Sequence, residues 1–131
     1  MQRELKYFIA HFGKKGEAKY PVDGGCYPVP SWLPAARIIS EGDLMLLICW
    51  SGHKGLYGGA VWGVGEVRRK TPSGADTAIY YEPKPFSTPV PRDKVLGCLP
   101  NNLNGKFIMG PVRKPFWLLE IPSASFQCMV K

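Results

Sequence analysis

Short apolar segments separated by glycine- and proline-rich breaks run along most of the chain. Residues 6–12 are aromatic and β-branched and end at a glycine, which predicts a first strand. Residues 44–50 are continuously apolar over the length of one strand, which predicts a strand buried on both faces. Residues 56–67 form a longer strand pattern punctuated by four glycines, and residues 77–81 form its return strand. Glycines inside a strand are typical of the bends and bulges of a curling sheet.

The remaining segments are less regular. Residues 14–31 contain three glycines and three prolines, which predicts a long loop, and long loops often carry function. Residues 32–39 are predicted as a short helix with Ser31 as its cap and Pro34 in its first turn. Residues 68–74 are predicted as a basic hairpin tip and residues 83–91 as a proline-rich connection. Short strands are predicted at residues 106–109 and 116–121, with a last helical turn within residues 122–130.

These elements together favour one fold class. At 131 residues the chain has the length of a single domain. Many short strands, one or two short helices and frequent glycine and proline are typical of a small barrel or a rolled sheet. We therefore predict one domain over residues 1–131, of the α+β class and mostly β.

The net charge of the chain indicates which class of binding partner to expect. Seventeen lysines and arginines against ten acids give a net charge of +7 and a pI near 9.4, a balance typical of proteins that bind polyanions. The same charge is also compatible with a role in solubility alone. Three basic clusters are candidates for phosphate contacts, although each is equally typical of a solvated face: Arg68, Arg69 and Lys70; Lys14 and Lys15; Arg113 and Lys114.

Cysteine spacing and hydropathy bear on metals and on location. The four cysteines are isolated and, with only two histidines, show no zinc-binding spacing; we predict buried, reduced thiols at Cys26, Cys49, Cys98 and Cys128. The longest apolar run has seven residues, far fewer than the roughly 18 of a membrane span. The polar first residues lack the apolar region of a secretory signal. We expect a cytoplasmic protein without a metal, a cofactor or a membrane partner.

Several motifs occur in an order found in a known family. Gly42-Asp43 leads into the buried strand, Cys49-Trp50-Ser51 ends it, and the glycine-bearing strand follows at residues 55–67. In this order the chain resembles the EVE branch of the PUA-like superfamily and, more distantly, the YTH domains. Residues 107–130 are similar to the closing strand and terminal helix of that family. The family's Trp-Asp-Gly-Val and Ala-Arg-Asn stretches before the helix are absent from this sequence.

The resemblance implies a PUA-like small mixed β-barrel with a pocket that holds one flipped nucleobase, including a methylated or otherwise modified one. Such a pocket needs aromatic faces to stack on the base and polar groups to read its edge. The candidates are Trp32, Trp50 and Tyr27 for stacking and Ser51, His53 and His11 for the edge. Each also has a structural explanation: core packing for a tryptophan or for His11, a turn for Ser51 and a solvated loop for His53. Trp62 and Trp117, placed mid-strand, are assigned to the core.

The sequence thus predicts a monomeric reader of DNA or RNA that works alone or beside a partner nuclease, as EVE-like modules of defence systems do. An enzymatic alternative comes from the sister ASCH domains, in which a strand carboxylate acts in catalysis. Glu66 lies on the corresponding strand and would serve as a general acid or base if burial raised its pKa. A third alternative is a protein-interaction module that uses exposed aromatic residues and the proline-rich segment 83–91.

Overall fold

The computed structural model describes residues 4–12, 25–49, 60–100 and 118–130. These ranges contain six strands and three helices. In chain order they are β1 (Tyr7–Phe12), β2 (Cys26–Pro30), α1 (Pro34–Ile38), β3 (Leu44–Cys49), β4 (Ala60–Ser73), β5 (Asp76–Val90), α2 (Arg92–Cys98), β6 (Leu118–Ile121) and α3 (Ser123–Val130).

All six strands form one sheet in the order β2-β5-β4-β3-β1-β6. The β1–β3 pair is parallel, and every other neighbouring pair is antiparallel. Strand content dominates and the helices are short, so the predicted mostly-β member of the α+β class is confirmed at this level.

The sheet is curled into a half-barrel. The Tyr27 hydroxyl on β2 donates a hydrogen bond of 2.7 Å to the carbonyl oxygen of His11 on β1. Three strands separate β2 from β1 in the sheet, which in a flat sheet would place them roughly 19 Å apart. A tyrosine side chain is far too short to span that gap, so the concave face must bring the two strands together.

Two hydrophobic cores lie on the two faces of the sheet. The concave face and α1 enclose the first core, whose members come from all six strands and the α1 segment: Phe8, Ala10, Tyr27, Val29, Leu33, Ala35, Ala36, Ile39, Met45, Leu47, Val67, Ile79, Tyr81 and Leu118. The opposite face packs against α2 and α3 to form the second core: Ile9, Leu46, Ile48, Val61, Val90, Val95, Leu99, Ile121, Phe126 and Met129.

Strand β3 contributes to both cores and is buried on both faces, as its continuous apolar run predicts. Met45 and Leu47 face the first core, whereas Leu46 and Ile48 face the second. Trp62 is also buried, which confirms its assignment to the core. The predicted strands at residues 6–12 and 116–121 and the terminal helix correspond to β1, β6 and α3.

Four local expectations are wrong. The predicted loop at residues 14–31 contains the strand β2, and the predicted connection at residues 83–91 is mostly a continuation of β5. Leu33, not Ser31, is the N-cap of α1, because the Ser31 hydroxyl is 2.8 Å from the Thr77 hydroxyl instead. Helix α2 was not predicted at all. Strand β4 runs to Ser73, so Arg68, Arg69 and Lys70 lie within a strand and not at the hairpin tip.

The prediction of buried, reduced thiols is also wrong for the cysteines that the structure describes. Cys98 and Cys128 form a disulfide between α2 and α3. Cys26 is a free thiol, but it is exposed on β2. The side chain of Cys49 lies outside the described residues.

No helix within the described ranges has both the length and the apolar character needed to cross a membrane.

Candidate nucleic-acid interface

The sheet has two ends with different contents. At one end β1 and β3 finish and β4 begins: Phe12 is opposite Cys49, Cys49 is opposite Ala60, and Leu118 of β6 is opposite Ala10. We call this the β1–β3 end. At the other end β4 and β5 are joined by a turn at Gly74, whose φ of 63° favours glycine. We call this the hairpin end.

The two ends are far apart. Strand β4 connects them with fourteen residues. At about 3.3 Å per residue, and allowing for twist and bulges, they are separated by roughly 40 Å. This length applies along β4 only, because the curl of the sheet brings Tyr27 of β2, the strand that ends beside the hairpin turn, into contact with His11.

Two of the predicted pocket residues are in contact with each other. His11 is opposite Ile48 in the sheet and is 6% exposed. Tyr27 is 5% exposed, its ring belongs to the first core, and its hydroxyl binds the His11 carbonyl. The structure therefore brings Tyr27 and His11 together, with Tyr27 acting as a core side chain that links β2 to β1.

Trp32 lies at the hairpin end instead. The Ser31 amide donates to the carbonyl oxygen of Ala75 at 3.0 Å, which holds the preceding turn against the hairpin. The Trp32 side chain is 53% exposed there, between the buried residues Pro30 and Leu33. Trp50 directly follows Cys49, the last residue of β3. Trp32 follows Tyr27 by five residues, so at about 3.8 Å between consecutive Cα atoms the two lie within roughly 19 Å of each other.

The other predicted site residues lie outside the described ranges: Trp50, Ser51, His53, Lys14, Lys15, Arg113 and Lys114.

The basic triplet on β4 is engaged by the fold itself. Arg68 pairs with Glu66 at 3.4 Å and with Glu82, and these carboxylates raise its pKa. The Arg69 guanidinium lies over the Tyr80 ring, 4.4 Å from its centre. The triplet is therefore a poorer phosphate site than its sequence suggests.

Lys70 is engaged in a different way. Its Nζ donates to the carbonyl oxygens of Ala36 and Arg37, each at 3.0 Å, at the C-terminal end of α1. Burial lowers the pKa of Lys70, and the nearby Lys6 lowers it further, whereas Asp43 opposes the shift. Lys70 therefore caps a helix.

The charges around Glu66 favour its ionised form, whereas acid catalysis needs a protonated carboxyl group. Lys84 donates to its carboxylate at 2.9 Å, and Arg68 lies 3.4 Å away. The hydrogen bond from Lys84, followed by the charge of Arg68, lowers the pKa of Glu66. The carboxylate is solvated and ionised, whereas a general acid at neutral pH requires a raised pKa.

Charge is distributed unevenly between the described and the remaining parts of the sequence. The described ranges carry eight lysines and arginines and eight acids, so the whole +7 falls on the other segments. Three internal segments, residues 13–24, 50–59 and 101–117, carry seven of those cations and two acids. Each is flanked by a described residue at the β1–β3 end: Phe12, Cys49 with Ala60, and Leu118. The excess positive charge of these segments is visible in the sequence when the charges of each segment are summed, but not when only adjacent cations are considered.

A surface cleft of about 640 Å³ also escaped sequence analysis. Leu5 and Tyr7 line one side, and Glu120 and Ser123 line the other, where β6 meets α3. Glu4, Lys6 and Glu120 give it mixed charge. This lining favours no particular class of ligand.

Comparison with known proteins adds no relative. The chain matches no protein-family model, and no curated protein is significantly similar to it in sequence.

Proposed function

We propose that the protein is a nucleic-acid-binding module whose binding surface is the β1–β3 end of the sheet. The observation that carries the proposal is the distribution of charge. All of the excess positive charge lies outside the described ranges, and the three basic internal segments are flanked by strand ends at this one end. An excess of cations in segments that adjoin these strand ends favours a polyanion over a neutral ligand.

The hairpin end is less suited to a polyanion. Arg68 is compensated by Glu66 and Glu82, and Lys70 by backbone carbonyls. A phosphate bound there would have to displace a partner that each of these side chains already has. The same charge argument therefore disfavours the hairpin end.

We further propose that Trp50 stacks on a nucleobase at the β1–β3 end and that Ser51 and His53 read its edge, whereas His11 is buried and packs behind this surface. Trp50 directly follows Cys49, the last residue of β3, which is paired with Phe12 of β1 and Ala60 of β4. A fixed attachment point lowers the ordering cost of binding, which supports a stacking role for the next residue. A curled, mostly-β sheet is compatible with the PUA-like, base-flipping reader that the sequence resemblance implies.

Two tryptophan substitutions test this proposal because it assigns stacking to Trp50, whereas Trp32 is an exposed tryptophan to which it assigns no role. Trp50→Ala should weaken binding of a fluorescently labelled single-stranded oligonucleotide by about 1–3 kcal/mol, the usual value of one stacked base. Trp32→Ala, the matched control, should leave affinity unchanged. Thermal unfolding of both variants separates lost stacking from lost stability.

The opposite pattern of affinities would contradict the proposal. If Trp32→Ala weakens binding and Trp50→Ala does not, nucleic acid binds the hairpin end. If Trp50→Ala instead destabilises the protein by about 3–5 kcal/mol, as expected for removing a core tryptophan, Trp50 packs in the core and is not a stacking platform.

A further inference from the structure

The two cysteines of the disulfide come from the two helices that cover the second core. Cys98 is the last residue of α2, and Cys128 lies within α3, thirty positions further along the chain. Cys128 is exposed and Cys98 is half-buried. Among the described cysteines, the remaining thiol belongs to Cys26, which is exposed on β2 and belongs to neither core.

The packing beneath the disulfide depends on both helices. Val95 of α2 and the adjacent Leu99 meet Phe126 and Met129 of α3 in the second core. Both helices are short, with seven and eight residues, and isolated helices of that length are unstable in water. The disulfide therefore stabilises the pair of helices over the second core, since neither helix is stable by itself.

We propose that Cys98–Cys128 is a redox modification site through which a dithiol reductant controls the stability of the second core. Reduction releases α3 from α2 and loosens this layer. The first core contains no residue of either helix, and residues 67–81 of the β4–β5 hairpin contribute to that core and not to the second, so these regions keep their structure. The proposal does not depend on nucleic-acid binding.

The reaction is a thiol–disulfide exchange. A thiolate of the dithiol attacks the exposed Cys128 sulfur, which forms a mixed disulfide and releases Cys98 as a thiolate. The second thiol of the reductant then attacks its own sulfur in the mixed disulfide and releases Cys128. Two electrons pass from the reductant to the cysteine pair, the reductant closes into a cyclic disulfide, and the two thiolates take up protons according to pH. Oxidation by a disulfide of the same class reverses each step.

Thermal unfolding with and without dithiothreitol measures the effect. Opening a loop that spans thirty positions should lower the unfolding temperature by about 10 °C. Cys26→Ser is the matched control, since it removes a thiol that is not in the disulfide, and it should show the same shift as the wild type. The Cys98→Ser/Cys128→Ser variant should unfold near the temperature of the reduced wild type and should not respond to dithiothreitol.

Alkylation and hydrogen exchange locate the change. Unfolded in denaturant, the protein should take up two alkyl groups without prior reduction and four after it. Reduction should speed amide exchange in α2 and α3 and leave residues 67–81 of the hairpin unchanged. Four alkyl groups without reduction would show that the disulfide does not form. Exchange that increases equally in the hairpin would show that reduction acts on the whole fold.

Equilibration with mixtures of reduced and oxidised glutathione separates a switch from a permanent link. A midpoint within that range supports control by cellular dithiols. A pair that stays oxidised in every mixture would overturn the proposal, because reduction would then never occur under these conditions.

Discussion

Neighbouring charges decide the state of Glu66, the side chain on which the enzymatic alternative depends. Lys84 and Arg68 both contact its carboxylate on the exposed side of β4. The ionised form is thereby favoured, and the group contributes to stability above its ordinary pKa of 4.5. That contribution is lost as the pH falls from 4.5 through the lower folded value.

Carboxyl-detected NMR should therefore give Glu66 a titration midpoint below 4.5. Lys84→Met should raise this midpoint more than Arg68→Met does, because the hydrogen bond from Lys84 has the largest effect. Lys94→Met on the exposed surface of α2 is the control and should leave it unchanged. A midpoint above 4.5 in the wild type would revive a role for Glu66 as a general acid.

Gly63 illustrates a backbone contact that no side chain tolerates. A Cβ at this position would lie 2.6 Å from the carbonyl oxygen of Lys84 and 2.8 Å from the Cα of Pro85. We expect Gly63→Ala to destabilise the protein by about 1–3 kcal/mol, because β4 and β5 would have to separate. Gly97→Ala in α2 meets nothing within 4 Å and should be neutral or stabilising by up to about 1 kcal/mol. Urea unfolding of both variants checks this, and equal effects would refute the close approach.

At the scale of elements, α1 depends on β4 for its C-terminal cap. The helix has five residues and its N-cap makes no side-chain hydrogen bond, so the two hydrogen bonds from Lys70 are a large share of its polar contacts. Lys70→Met removes both. It should lower stability by about 1 kcal/mol and speed exchange of the Ile39 amide, which donates to Ala35 at 3.0 Å.

The surface substitution Lys94→Met is again the control for Lys70→Met, and its stability should change little. Oligonucleotide affinity should be nearly the same for both variants. Weaker binding by Lys70→Met with unchanged stability would instead assign Lys70 to phosphate contact, as its sequence context first suggested.

The apolar patterns predicted the buried strands well. The proline-containing segments were predicted as loops, but they form the edge strand β2 and the second half of β5. Pro28 and Pro30 belong to β2, an edge strand, where a missing amide costs little. In β5 the Tyr81 amide points to the β2 side and donates to Gly25. Backbone amides alternate in direction along a strand, so the ring nitrogens of Pro83 and Pro85 also point to the β2 side. They lie beyond the described start of β2, so the hydrogen bonds between β5 and β4 are not interrupted. Sequence alone does not give the pairing that makes these prolines tolerable.

The candidate site was predictable only in part, because its residues meet through long-range topology. His11 and Tyr27 were predicted as neighbours of one pocket, and the curl of the sheet does bring them together. Trp32 was predicted beside them; it follows Tyr27 by five residues, and its side chain is exposed next to the hairpin turn. The disulfide was missed since Cys98 and Cys128 are thirty positions apart and meet only through α2 and α3.

At the scale of the whole molecule, the central feature is the asymmetry of charge. The described sheet and helices are electrically balanced, whereas the segments beyond them carry the entire +7. A molecule built this way should bind a polyanion through the basic segments and leave its balanced surfaces free. The salt dependence of binding reports how many cations take part.

The most direct test compares two double substitutions that each replace one arginine and one lysine. Arg113→Gln/Lys114→Gln removes cations from a basic segment, and Arg68→Gln/Lys84→Gln removes cations held by carboxylates on the sheet. We measure oligonucleotide affinity against salt concentration for both variants and the wild type. The first variant should reduce the logarithmic salt slope by up to about 0.7 for each lost contact, and the second should leave it unchanged. Equal reductions in both, or a wild type with no salt dependence, would contradict nucleic-acid binding at the β1–β3 end.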